Sequence, residues 1–103
     1  MPKRTLDLTM NELKILSALY GQDRYGLEIV ETIKESGGNL FLGSLYNIAS
    51  RLEKKGFIES YWGDENSDRG GNRRKYFKIT GKGQQAVSEA QSTFASLWNF
   101  SIA

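Results

Sequence analysis

The sequence predicts a mainly α fold with a small β-hairpin, and three observations predict it. Apolar residues recur at helical spacing in three short segments before residue 56. The period then drops to two across a pair of short aromatic-rich segments separated by a polar, glycine-rich stretch. Helical spacing returns from Thr80 to the C-terminus. With 103 residues, 39% of them apolar, there is material for one modest core, and little surplus to stabilise it without help from a second copy.

The first helix begins at Thr9. Thr9 and Glu12, three residues on, form a capping box, with Leu8 before them as the apolar staple. Leu13, Ile15, Leu16, Leu19 and Tyr20 make the buried stripe, and Gly21 ends the helix. Gln22-Asp23-Arg24 reads as a short polar connection. A second helix opens at Tyr25 or Gly26, with Leu27, Ile29, Val30 and Ile33 as its buried positions. Gly37-Gly38 terminates it, and residues 39–42 lead into the third.

The third helix, within Gly43 to Ile58, is the centre of the chain. Leu45, Ile48, Ala49 and Leu52 form its apolar stripe. At about 100° per residue, Gly43, Asn47, Ser50 and Lys54 fall on the opposite face, flanked by Tyr46 and Arg51. Lys54 and Lys55 close the last turn, where the helix dipole favours cations, and Gly56 stands where a left-handed residue is wanted. A helix with an apolar back and a small, polar, basic front suits a DNA major groove. It also suits an ordinary amphipathic surface helix, so the rest of the chain must decide.

Two features favour DNA. Three short helices in succession, the last two joined by a tight turn, form a helix-turn-helix. Charge is also unevenly placed. The chain carries a net +2 overall, yet residues 41–82 hold nine basic and five acidic side chains. Positive charge therefore gathers around the third helix, as on a polyanion-binding face.

After Gly56, Phe57, Ile58, Tyr61 and Trp62 read as a strand. Residues 63–72 form a polar loop, and Arg73 to Ile79 a second strand, so the hairpin is a wing with a basic side. Arg73, Arg74 and Lys75 would contact phosphates together with Arg51 and Lys54. An exposed charged edge that discourages strand aggregation accounts for the same run. Asn47, Ser50 and Tyr46 would meet base edges, Asn being able to grip adenine with two hydrogen bonds. Ser44 completes the DNA-binding set. Thr80 caps the last helix. Its Val87, Ala90, Phe94 and Leu97 lie at a 3-4-3 spacing, with Ala86 and Trp98 beside them. Residues 90–103 contain no charge, which a lone surface helix would carry, so this helix is expected to lay its inner face on the first helix and its outer face on another copy of the chain, with Val87, Ala90, Phe94, Leu97 and Trp98 as the dimerisation residues. The expected division is 1–83 for DNA binding and 84–103 for dimerisation.

Several classes of chemistry are excluded. The chain has no cysteine or histidine, which removes disulfides, thiolate nucleophiles, imidazole bases and the common zinc sites. Asp64 to Asp68 resembles the start of a calcium loop, but Arg69 stands where that loop needs Gly and Lys75 where it needs Glu. No carboxylate pair sits in an apolar setting that would split its acid constants for catalysis. No enzyme, metal or cofactor is expected. No signal peptide or membrane span is expected either, which fits a cytoplasmic protein.

Together, Gly43-Ser44-Leu45-Tyr46, Arg51 to Ile58, and Arg73 to Thr80 followed by Gly83 resemble the PadR family of bacterial transcriptional regulators. Glu28-Ile29 after Gly26 matches a further family element, and the likeness runs from Leu8 to about Val87. Leu27 departs from the family's usual Tyr, and Leu42, Asn47 and Asn72 from its usual Pro; none of these departures removes a basic residue. The resemblance implies a winged helix, a homodimeric regulator of double-stranded DNA and more commonly repression than activation. It also implies a small aromatic or apolar effector near the dimer interface in some members, for which Trp98 is the candidate stacking residue here, core packing being the other role for that side chain. The alternative is a winged helix serving as a protein-interaction module without specific DNA binding.

Overall fold

The computed structural model describes residues 8–63 and 73–102, the last five as backbone only. Four helices and three strands occur among them, in the order α1 Met10–Leu19, β1 Arg24–Tyr25, α2 Gly26–Glu35, α3 Leu42–Lys54, β2 Ile58–Trp62, β3 Lys75–Ile79 and α4 Gly81–Ile102. The strands form one antiparallel sheet in the order β1-β3-β2. No described helix is long and apolar enough to cross a membrane.

Local chemistry sets the helix boundaries. At the start of α1, the Glu12 N–H donates to Thr9 Oγ1 (3.1 Å) and the Thr9 N–H to Glu12 Oε1 (2.8 Å), a reciprocal cap worth about 1 kcal/mol. At the end of α3, the Gly56 N–H donates to the Glu53 carbonyl and the Phe57 N–H to the Leu52 carbonyl, both at 3.0 Å. This closure needs a left-handed residue, and Gly56 supplies it at φ +86°. Thr80 Oγ1 accepts from the Gly83 N–H at 3.1 Å and starts α4.

One core gathers Ile15, Leu16 and Leu19 of α1, Ile29 and Ile33 of α2, and Leu45, Ile48, Ala49 and Leu52 of α3. Phe57, Ile58, Phe77 and Ile79 bring the sheet onto it, and Ala86 and Val87 bring α4. The stripe of α3 is buried as its spacing predicts. Two other expectations fail. Leu27 is exposed, because it lies about 200° around α2 from Ile29. Tyr20 stands at the C-cap of α1, half-exposed. Tyr61 and Trp62 belong to β2 but lie beyond the helical layer, 44% and 57% exposed.

The connection at residues 22–24 is also partly a strand. Arg24 pairs with Phe77 and Tyr25 with Tyr76, so β1 makes a third strand beside β3. Arg24 is held by its Nε–H, which donates to the Ala18 carbonyl at 2.8 Å.

The first half of α4 packs into the protomer. Val87 and Ala90, expected to face a second copy, are buried within the protomer at 4% and 6% exposure. The expected boundary between residues 83 and 84 falls inside α4, where Gly83 and Ala86 are both buried. A Cβ on Gly83 would overlap the Phe57 carbonyl oxygen, so the helix start sits directly on the turn that ends α3.

Candidate nucleic-acid interface

Burial of Leu45, Ile48, Ala49 and Leu52 fixes the rotation of α3, and its other face turns outward. Ser44, Asn47, Ser50, Arg51 and Lys54 are all exposed, as is Gly43 between them. Tyr46 stands at the border of the two faces. Its ring lies 6.3 Å from that of Phe77, and its hydroxyl reaches so near α2 that a Cβ on Gly26 would come within 2.5 Å of it. Tyr46 therefore braces α3 against α2 and β3 while remaining 45% exposed. The acidic Glu53 accepts a hydrogen bond from Ser60 Oγ at 2.8 Å, which joins α3 to β2.

Strand alternation divides the wing's side chains between two faces. Trp62 pairs with Lys75 and Ser60 with Phe77, on the face turned toward α3. The Lys75 ammonium lies about 6 Å from the rings of both Trp62 and Phe77. The other face carries an aromatic row. Tyr61 stacks on Tyr76 at 5.6 Å, and Tyr25 meets Tyr76 edge-on at 5.6 Å. Arg74 lies over the Tyr25 ring at 4.4 Å, and the Tyr61 hydroxyl donates to Asp23 at 2.6 Å. That hydrogen bond, with partial desolvation and the Asp23 charge, pushes the Tyr61 phenol above the usual tyrosine range. Arg73 donates from Nε to the Gly63 carbonyl at 3.2 Å at the wing's base. The tip of the wing and the calcium-like residues Asp64 to Asp68 lie outside the described residues.

The structure thus brings Ser44, Tyr46, Asn47, Ser50, Arg51 and Lys54 onto one helix, with Lys75 on the adjoining sheet face. Arg74 is directed to the opposite face. Two cations that swell the charge count of this region serve the fold instead. Lys55 pairs with Glu12 at 3.2 Å, and Lys82 donates to the Lys55 carbonyl at 2.8 Å while lying over the Phe57 ring. Sequence spacing gave no sign of either bond, because both partners are remote in the chain. It also missed the exposed Phe41, Leu42 and Trp62 beside the polar face.

A groove of about 550 Å³ lies elsewhere, between α1, the end of α2 and α4. Leu13, Ile33, Val87 and Ala90 line it, with Met10 and Phe94 at its rim and Lys14 beside them. The side chain of Trp98 lies outside the described residues.

A helix-turn-helix, a three-stranded sheet ending in a wing and a long C-terminal helix define a winged-helix protein. Residues 15–89 match the model of the transcriptional regulator PadR-like family, and the chain belongs to that family. It is 38% identical over 86 residues to an uncharacterized protein of Lysinibacillus sphaericus, covering 81% of this chain and 76% of that one. A PadR family transcription regulator from hypervirulent Clostridium difficile R20291 shares 30% identity at a TM-score of 0.77, over 86% of this chain and 91% of that chain. The fold also matches Bacillus subtilis PadR, crystallised in complex with operator DNA, at a TM-score of 0.70 and 19% identity. That match covers 81% of this chain but only 47% of the Bacillus protein.

Proposed function

We propose that this chain is a sequence-specific repressor that binds double-stranded DNA as a homodimer. One observation carries the reading: the anchored α3 leaves Ser44, Asn47, Ser50, Arg51 and Lys54 exposed. Asn47, Ser50 and Tyr46 meet base edges, while Arg51, Lys54, Arg73, Arg74 and Lys75 hold phosphates. The operator complex of the Bacillus relative supports the same use of the fold. This reading places the protein in the bacterial cytoplasm.

In the same proposal, residues 1–83 serve DNA binding and 84–103 dimerisation. Pairing uses Phe94 and Leu97, which are 42% and 55% exposed in the protomer, together with Trp98. It sets two copies of α3 about one helical turn of DNA apart, roughly 34 Å. A small aromatic or apolar effector would enter near this interface and stack on Trp98.

The test is selection of bound duplexes from a random pool, followed by titration of the selected duplex and a scrambled one at several salt concentrations. The selected site should be bound at least a thousandfold more tightly, order of magnitude, with affinity falling steeply as salt rises. Equal, weak binding to both duplexes would leave the protein-interaction module as the better reading.

A further inference from the structure

The start of α3 presents two large apolar side chains to the outside. Phe41, the N-cap residue, is 76% exposed, more than any other large apolar side chain among the described residues. Leu42, the first helical residue, is 39% exposed. The fold gains little from Phe41, whereas Leu42 is more than half covered. Helix anchoring falls to Leu45, Ile48, Ala49 and Leu52. The Phe41 backbone carbonyl accepts the Leu45 N–H at 2.9 Å, but its side chain makes no capping bond. An N-cap position ordinarily favours an oxygen-bearing side chain, so a phenyl ring there sacrifices helix stability.

The neighbouring residues of α3 narrow the occupant. A Cβ on Gly43 would meet nothing within 4 Å, so the helix surface there is open. Next come the exposed polar Ser44 and Asn47, and at the far end Arg51 and Lys54. The apolar pair therefore stands at the N-terminal end of the helix whose outer face is assigned to DNA. A recognition helix meets base edges with its N-terminal residues. Along the major-groove edges the apolar group on offer is the thymine C5-methyl.

We propose that Phe41 and Leu42 read thymine methyl groups, and so are specificity-determining residues for this protein's operator. The inference rests on the DNA-binding reading and adds a base class to it: sites of this protein contain thymines opposite the first turn of α3.

Uracil supplies the test, because replacing thymine with uracil removes the methyl group and leaves the hydrogen-bonding edge intact. The full chain is titrated with the selected duplex and with duplexes carrying single thymine-to-uracil replacements. Binding should weaken about three- to tenfold at one or two positions in each half-site, the value of one buried methyl contact. Phe41→Ser and Leu42→Ser should bind the thymine duplex more weakly and no longer distinguish it from the uracil one. Phe41→Ser restores an oxygen at the N-cap, so its thermal melt should match or exceed that of the parent. Specific binding that is indifferent to uracil everywhere overturns the inference, and so does uracil sensitivity that survives in both variants. Absence of any sequence preference in the parent chain instead overturns the DNA-binding reading itself.

Discussion

The carboxylate of Glu12 lies 3.2 Å from the ammonium of Lys55, tying the first turn of α1 to the C-cap of α3 across 43 residues of sequence. The Lys55 carbonyl in turn accepts from Lys82 Nζ, so the end of the proposed recognition helix is held from α1 and from α4. Glu12 is only 3% exposed. Burial alone would push its carboxyl up, but the Thr9 N–H and the Lys55 ammonium outweigh burial and hold it below the ordinary glutamate range.

This pair predicts a pH-dependent stability. The folded carboxyl ionises more readily than the unfolded one. Its contribution is therefore present above the unfolded value, about 4.3, and is lost as pH falls through the lower folded value. Lys55→Met leaves a buried carboxylate without its cation and should cost about 1–3 kcal/mol at pH 7. Lys55 is half-exposed, so solvent screening favours the lower end of that range. In urea melts the gap between parent and variant should narrow as pH is lowered from 5 toward 3. A gap of constant size would show that the pair contributes packing rather than charge.

Gly43→Ala should separate folding from binding. An added Cβ meets no neighbour within 4 Å, and Gly43 has an ordinary helical backbone. Alanine should raise stability by about 0.5–1 kcal/mol, visible as a higher melting temperature. On the selected duplex it should weaken binding by about 1–2 kcal/mol, because the methyl group occupies the place where the groove approaches. Unchanged affinity would place the first turn of α3 outside the groove.

Asn47 and Arg74 test the division between base reading and phosphate holding. Asn47→Ala should cost about 1–3 kcal/mol on the selected duplex and little on a scrambled one. Arg74→Ala should weaken both alike and lower the salt slope by about one. Its guanidinium rests on the Tyr25 ring at 4.4 Å, and a stacked guanidinium keeps its N–H edge directed outward for a phosphate. A loss confined to one sequence on removing Arg74, or equal losses on removing Asn47, would reverse the two roles.

What could be read from the sequence was what neighbours in the chain decide. The Thr9–Glu12 box, the left-handed Gly56, the Thr80 cap and the buried stripe of α3 each depend on residues within one or two turns. The strand β1 depends on β3, some fifty residues away, and two residues show no period of their own. Lys55 and Lys82 counted toward a basic surface because their partners lie 43 and 27 residues away in the chain. The exposure of Tyr61 and Trp62 was not legible, because apolar content alone does not tell where a hairpin outruns its covering helices. Phe41 passed as part of a connection because nothing in its spacing shows that it faces outward. The polar face of α3 was legible because Leu45, Ile48, Ala49 and Leu52 fix the rotation of the helix.

The C-terminal helix α4 runs for 22 residues, roughly 33 Å, but only its first half is buried in the protomer. Beyond Ala90 the sequence has no charged residue, and Phe94 and Leu97 are 42% and 55% exposed. The apolar groove between α1 and α4 opens beside Phe94. Closing these surfaces against a second copy would remove them from water at little cost in ordering, since α4 is already formed. Phe94→Glu is the sharper probe than deletion because it leaves the protomer's own core intact. Stability of the isolated protomer should change by no more than about 0.5 kcal/mol, while self-association should weaken by about 2–3 kcal/mol. Light scattering should report twice 11.6 kDa for the intact chain at micromolar concentration, and a single chain for the variant with an unchanged circular dichroism spectrum. An intact chain that is already monomeric would remove both the interface and the effector site beside it. A variant that stays dimeric would move the interface to another face.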